Sequence, residues 1–105
     1  MAYVKISQDD AKKMMNENTI ILDVRELDEY EELHIKNAVH LPLGEIGERA
    51  AEVLFEKTQT ILTYCFSGRR SEMAAKELIK LGYSSVYDFG GIEDWTGETE
   101  GNEGG

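Results

Sequence analysis

Thr60-Ile61-Leu62-Thr63-Tyr64-Cys65-Phe66-Ser67-Gly68-Arg69-Arg70-Ser71 decides the fold. Its first six residues are apolar or β-branched, the pattern of a strand covered on both faces. From 71 to 81, Ala74, Ala75, Leu78 and Ile79 recur at helical spacing, and Gly82 supplies a stop signal. Between strand and helix lies a short loop holding one glycine.

The same rhythm repeats outward. Thr19-Ile20-Ile21-Leu22-Asp23-Val24 is a second apolar run with β-branched content. The spacing after it predicts a helix with Leu27 and Tyr30 inward and its acids outward. Ala38-Val39-His40-Leu41 reads as a short strand ended by Pro42, the sole proline. From residue 44, Ile46, Ala50, Val53 and Leu54 mark one helical stripe. Ser85-Val86-Tyr87-Asp88-Phe89 is a last strand before Gly90-Gly91, and Tyr3-Val4-Lys5-Ile6 adds an edge strand. Ser7 with Asp10 three residues on predicts an N-cap, and Ala11, Met14 and Met15 follow on one face. Apolar strands alternating with helices, five strands with the edge one, imply an α/β fold, a mostly parallel five-stranded sheet with helices on both faces. Residues 1–96 form this domain. Residues 97–105 are acidic, Gly-rich and without apolar side chains, so they are expected to be a disordered tail.

Composition excludes several partners. The chain of 105 residues carries a formal charge of −10, which speaks against nucleic acid and against anionic membrane. No apolar run nears the roughly 18 residues that span a bilayer. The start resembles no secretory signal, so the expected location is the cytoplasm. One cysteine rules out an internal disulfide and a Cys-only zinc site. His34 and His40 add no ligand spacing around it, so no metal and no cofactor are expected. Five of the seven residues from 26 to 32 are acidic, a pattern that reads first as a solvated face.

The chemistry concentrates where the central strand ends. In open α/β sheets, ligands sit off the carboxyl ends of strands. Backbone N–H groups in a turn such as 66–70 converge into an anion nest, and a helix opening near Ser71 adds unpaired donors. Arg69 and Arg70 add two full charges. The first anion at that spot is the Cys65 thiolate, the nucleophilic form of the side chain. A chain at −10 does not steer anions by its overall field, so local positive focusing has to do it.

These residues resemble the rhodanese active-site loop, commonly Cys-x-x-Gly-x-Arg-Ser, which Cys65, Gly68, Arg70 and Ser71 match. The segment from Leu22-Asp23-Val24-Arg25 through Glu29-Tyr30 and His34-Ile35 to Ala38 and Pro42 is similar to the family's Asp-Val-Arg…Glu-Tyr…Gly-His-Ile-Pro-Gly-Ala…Pro. Gly90-Gly91-Ile92-Glu93-Asp94-Trp95 resembles its closing Gly-Gly-x-x-x-Trp. The resemblance implies a rhodanese-like sulfurtransferase. Cys65 would take a sulfane sulfur from a small anionic donor such as thiosulfate. It would pass that sulfur to cyanide, a thiol or a protein acceptor. Phe66, Ser67, Gly68, Arg69, Arg70 and Ser71 would bind the substrate, their amides cradling the outer sulfur. Arg69 is expected to face the donor and Arg70 to be architectural. Asp23 and Arg25 would hold the next helix, with Arg25 reaching Glu29 at i+4. His34 and Trp95 take structural roles.

Leu33 stands where the family usually has Gly, and Lys36-Asn37 replace Pro-Gly. A left-handed Leu33 would cost about 1–2 kcal/mol, whereas Asn37 takes that conformation readily. Position 66, often Arg, is Phe, and position 69, often neutral, is Arg. Two other classes compete. Phosphatases and arsenate reductases on related folds place Arg six positions after Cys, where this chain has Ser71 and a loop one residue shorter. A regulatory rhodanese-like module without turnover would not need the cysteine, which is present. With no second cysteine, a persulfide has to leave the chain, so a relay to a protein partner is a further reading.

Overall fold

The computed structural model describes residues 2–101. Its strands are β1 (Val4–Lys5), β2 (Thr19–Asp23), β3 (His34–Ile35), β4 (Val39–His40), β5 (Thr60–Cys65), β6 (Val86–Gly91) and β7 (Thr99–Glu100). Its helices are α1 (Gln8–Met14), α2 (Leu27–Glu32), α3 (Ile46–Val53) and α4 (Arg69–Lys80), with 3-10 turns at Leu43–Glu45 and Ile92–Asp94. Five strands form one sheet in the order β1-β6-β5-β2-β4, and every pairing within it is parallel. β5 is the middle strand, so the residue that ends it sits at the centre of the sheet's carboxyl edge.

Alternation along the strands sends side chains to two cores. Ile61 and Cys65 join Leu22, Val24, Ile46, Ala50, Ala74, Ala75 and Leu78 under α3 and α4. Leu62 and Tyr64 point the other way, with Ile21, Ala11, Ile35 and Phe89, and the partly buried Met14, Met15 and Trp95 pack against them. Helices thus cover both faces, as the apolar strands require.

Local signals act as their chemistry dictates. The Ser7 hydroxyl accepts from Asp10 N at 3.0 Å, capping α1. Gly82 follows α4 with φ +98°, and Asn37 takes φ 71°. Leu33, in contrast, is extended at φ −162°, so its side chain carries no left-handed strain.

Two expectations change. Leu27 faces solvent at 55% exposure, not the core. α2 has only six residues and none is buried. It is stabilised instead at its start, where the Glu29 carboxylate accepts from Glu26 N at 3.0 Å. Tyr30 does turn inward, donating its hydroxyl to Ala38 O at 2.7 Å. The tail assigned to 97–105 is structured in part. Thr99–Glu100 pairs antiparallel with β3, Lys36 N donates to Glu98 O at 3.1 Å, and Asn37 N donates to the Glu100 carboxylate at 3.0 Å. Backbone pairing needs no apolar side chain, so polar composition does not prevent it. Residues 102–105 lie outside the described residues. No helix among the described residues is long and apolar enough to cross a membrane.

Candidate active site

Cys65 ends β5 at 1% exposure, its sulfur tucked beneath the following loop. Gly68 turns that loop with φ +108°, a backbone state open to Gly and strained for other residues. The turn aims the Gly68 N–H at Cys65 Sγ, 3.0 Å away. The same residue is the N-cap of α4, which therefore begins at Arg69, two residues before the expected start. Ser71 is fully buried and donates its hydroxyl to Gly68 O at 3.1 Å, with Gly90 O at 3.3 Å also in reach. The sulfur, the glycine amide and the start of a twelve-residue helix share one point.

The loop rests on the end of β6. Cys65 pairs with Gly91 after a register shift between Thr63 and Cys65. A Cβ on Gly91 would lie 1.9 Å from Phe66 O, so only glycine permits this approach. Glu93 N donates to Phe66 O at 3.2 Å, tying the loop to the 3-10 turn, and Gln8 Nε2 donates to Gly91 O at 2.8 Å, tying the end of β6 to α1. Beneath it, Asp88 is fully buried. Its Oδ1 accepts from Gly90 N at 3.2 Å, and its Oδ2 has no hydrogen-bond partner among the described residues. Burial pushes the Asp88 carboxyl above the usual carboxylate range, although Ser71 and the Gly90 amide pull the other way.

The two arginines part company. Arg70 donates from Nη1 and Nη2 to Glu29 Oε1 and Oε2 at 2.6 and 3.1 Å. That pairing holds Glu29 below the usual carboxylate range and raises Arg70. Arg69 is exposed, and no carboxylate among the described residues lies within ion-pair distance of it. Glu29 is thus a residue of the site that the sequence reading assigned to Arg25.

Arg25 turns elsewhere. Its Nε and Nη2 grip Asp23 at 3.0 and 2.8 Å, and Nη2 also donates to Leu33 O at 2.5 Å. Tyr64 donates its hydroxyl to Asp23 Oδ2 at 2.6 Å and accepts from Ile35 N at 3.0 Å. Burial, and after it the Asp23 charge, raises the Tyr64 phenol well above its ordinary value. Asp23, Arg25 and Tyr64 are each at most 4% exposed, so this network locks the ends of β2 and β5 to β3. Its contacts are structural. So are those of His34, whose ring stacks on Tyr30 at 3.9 Å, and of Trp95, which packs 5.7 Å from Phe89.

A groove of about 320 Å³ opens beside the loop, lined by Arg25, Glu29, Glu32, Leu33, Phe66 and Ile92. A larger cavity of about 670 Å³ lies between the end of α1 and residues 95–98, and none of residues 65–71 lines it. The smaller one adjoins the cysteine loop at Phe66. Among the described residues, no group of three or more His, Cys, Asp or Glu is placed to hold a metal ion.

Known proteins similar to this chain share its fold. A protein of Bacillus subtilis (strain 168), provisionally named the sulfur carrier protein YrkF, is 49% identical over 86 residues; that match takes in 81% of this chain but only 45% of that protein. Thiosulfate sulfurtransferase GlpE of Coxiella burnetii is 36% identical over 90% of this chain and 89% of its own length. Among solved structures, an E. coli rhodanese with anions superposes with a TM-score of 0.75 at 32% identity, covering 80% of this chain and 99% of that one. A rhodanese-related protein from Thermoplasma volcanium reaches 0.81 at 28% identity, covering 93% and 98%. The model of the rhodanese-like domain matches residues 7–98, and with the five-stranded parallel sheet and the Cys65 loop it places the chain in the rhodanese-like family.

Proposed function

We propose that the protein is a sulfurtransferase that carries sulfane sulfur on Cys65. The observation that carries this reading is the Gly68 N–H held 3.0 Å from Cys65 Sγ at the start of α4. The Cys65 thiolate attacks the outer sulfur of thiosulfate. A new S–S bond forms, the donor's S–S bond breaks, and sulfite leaves with that electron pair. The outer sulfur of the persulfide lies about 2 Å beyond Sγ, where amides of residues 66–70 stabilise its negative charge. An acceptor nucleophile, cyanide or a thiolate, then takes this sulfur and returns the electron pair to Cys65. Arg69 is the cation available to a dianionic donor, since Arg70 is committed to Glu29. The names of the GlpE relatives and the anions in the E. coli rhodanese structure support this donor class.

Intact mass spectrometry after incubation with thiosulfate tests it. The wild-type chain gains about 32 Da, one sulfur atom, and Cys65→Ser gains nothing, because only a thiolate carries the persulfide. Sulfur appearing on Cys65→Ser, or no adduct on the wild type, overturns the assignment.

A further inference from the structure

The rim of the cysteine loop is unlike a surface made only for small anions. On one side, the groove exposes Phe66 at 48% and Leu33 at 37%, with the half-buried Ile92 between helix and turn. Glu32 lines that groove, and Glu93 touches Phe66 O through its backbone. On the other side, Asp9 and Asp94 line a second cleft with Ser67. All four acids are exposed, and none has an ion-pair partner among the described residues. Among the described residues, Arg69 is the cation of the loop without an ion-pair partner. Four free carboxylates against one free guanidinium leave the surface on both sides of the loop acidic, with Phe66 and Leu33 exposed in one of its two clefts. Apolar anchors inside a charged ring are the composition of a protein-binding patch.

We propose that this rim docks a basic, apolar-anchored segment of a partner protein that presents its own cysteine to the Cys65 persulfide. This inference rests on the sulfurtransferase reading and names its acceptor class. Phe66 and Leu33 give the partner's apolar side chains a seat, and Asp9, Glu32, Glu93 and Asp94 meet its lysines and arginines. The partner's thiolate attacks the outer sulfur, the Cys65 S–S bond breaks, and the electron pair returns to Cys65. Charge complementarity selects the partner, since the same ring repels an acidic surface. A small dianion still reaches the sulfur at Arg69, because exposed charges are screened beyond about 8 Å at physiological salt.

Binding is measured separately from chemistry. Fluorescence anisotropy on the unmodified full chain compares a labelled Lys/Leu-rich peptide, with serine in place of its cysteine, with a Glu/Leu-rich peptide of equal length. The Lys-rich peptide binds about tenfold more tightly at about 50 mM salt, and the gap closes at about 500 mM. Phe66→Ala and the double variant Glu32→Lys/Glu93→Lys each weaken it about fivefold, while Glu48→Lys on α3, outside the rim, leaves it unchanged. Equal binding of the two peptides, no binding of the Lys-rich one, or equal weakening by Glu48→Lys overturns the docking face. Persulfide formation from thiosulfate, read by mass without any peptide, reports on the sulfurtransferase reading alone, so the two failures are distinguishable.

Discussion

Arg70 and Glu29 stand 41 residues apart in the chain and meet in a two-pronged ion pair of 2.6 and 3.1 Å. The pair ties the first turn of α4 to α2, next to the sulfur-bearing loop. It also answers a local conflict. A helix N-terminus disfavours positive charge, and α4 opens with two arginines. Glu29 neutralises one of them, leaving Arg69 exposed to solvent. The Glu29 carboxylate also caps α2 through Glu26 N, so one side chain fastens both helices.

The pair gives stability a defined pH dependence. Arg70 lowers the folded-state pKa of Glu29, so its contribution is full above the ordinary carboxylate range and is lost as pH falls through the folded value. Glu29→Gln should cost about 0.5–1 kcal/mol at pH 7, the range for a partly exposed pair. In urea titrations the difference from wild type should vanish on acidification. A gap that persists at the acid end would mean that the loss comes from packing or capping rather than charge.

Asp88 has the opposite sign. Burial raises its folded-state pKa, so its favourable contribution belongs to the protonated form. That contribution is present below the unfolded value of about 3.9 and is lost as pH rises through the folded one. Asp88→Asn should therefore be more stable than wild type at pH 7, by about 1 kcal/mol, with the advantage fading toward pH 3. Ser71, the Gly90 amide and Lys5 moderate the shift, and the Glu72 carboxylate adds to it. Destabilisation at every pH would show that Oδ2 needs an acceptor's lone pairs after all.

Gly91 sets the height of the loop. A methyl group there would collide with the Phe66 carbonyl, a backbone atom with no rotamer to escape into. Gly91→Ala should destabilise the fold by about 1–3 kcal/mol, as overpacking does, and slow persulfide formation as the Gly68 amide moves off the sulfur. Thermal unfolding and thiosulfate labelling measured on the same sample check both effects. Wild-type labelling with an unchanged melting temperature would refute the close approach.

The arginines should separate kinetically. Arg69→Ala should raise KM for thiosulfate more than it lowers kcat, a loss of about 1–2 kcal/mol that shrinks in high salt. Arg70→Ala should lower stability and kcat together, because Glu29 is left without its partner. Steady-state kinetics with thiosulfate, alongside urea unfolding, distinguishes the two. A rise in KM confined to Arg70→Ala would exchange the assigned roles.

Local chemistry was legible in the chain. The apolar run ending on Cys65, the glycine after it and the helical stripe beyond determined a strand, a tight turn and a helix, because each depends on neighbours within a few residues. Ser7 capping α1, Asn37 turning left-handed and Gly82 ending α4 are signals of the same short range. The five strands of the parallel sheet and the family followed from these pieces in order.

Choice among partners was not legible. Arg25 had Glu29 within helical reach, yet it pairs with Asp23, because Asp23 lies in a buried network with Tyr64 where an unpaired charge would be costly. Glu29 goes instead to Arg70, since β2 lies beside β5 with Asp23 opposite Tyr64, bringing the segments after both strands together. Leu27 is exposed because a six-residue helix held by its cap needs no buried stripe, and polar Thr99–Glu100 becomes a strand because β3 offers free backbone groups. The sequence by itself determined which elements form and where the cysteine stands, since these follow from local periodicity and turn chemistry. Only the tertiary structure decided which charge meets which, because an ion pair forms where the sheet order places two side chains within about 4 Å, whatever their separation along the chain.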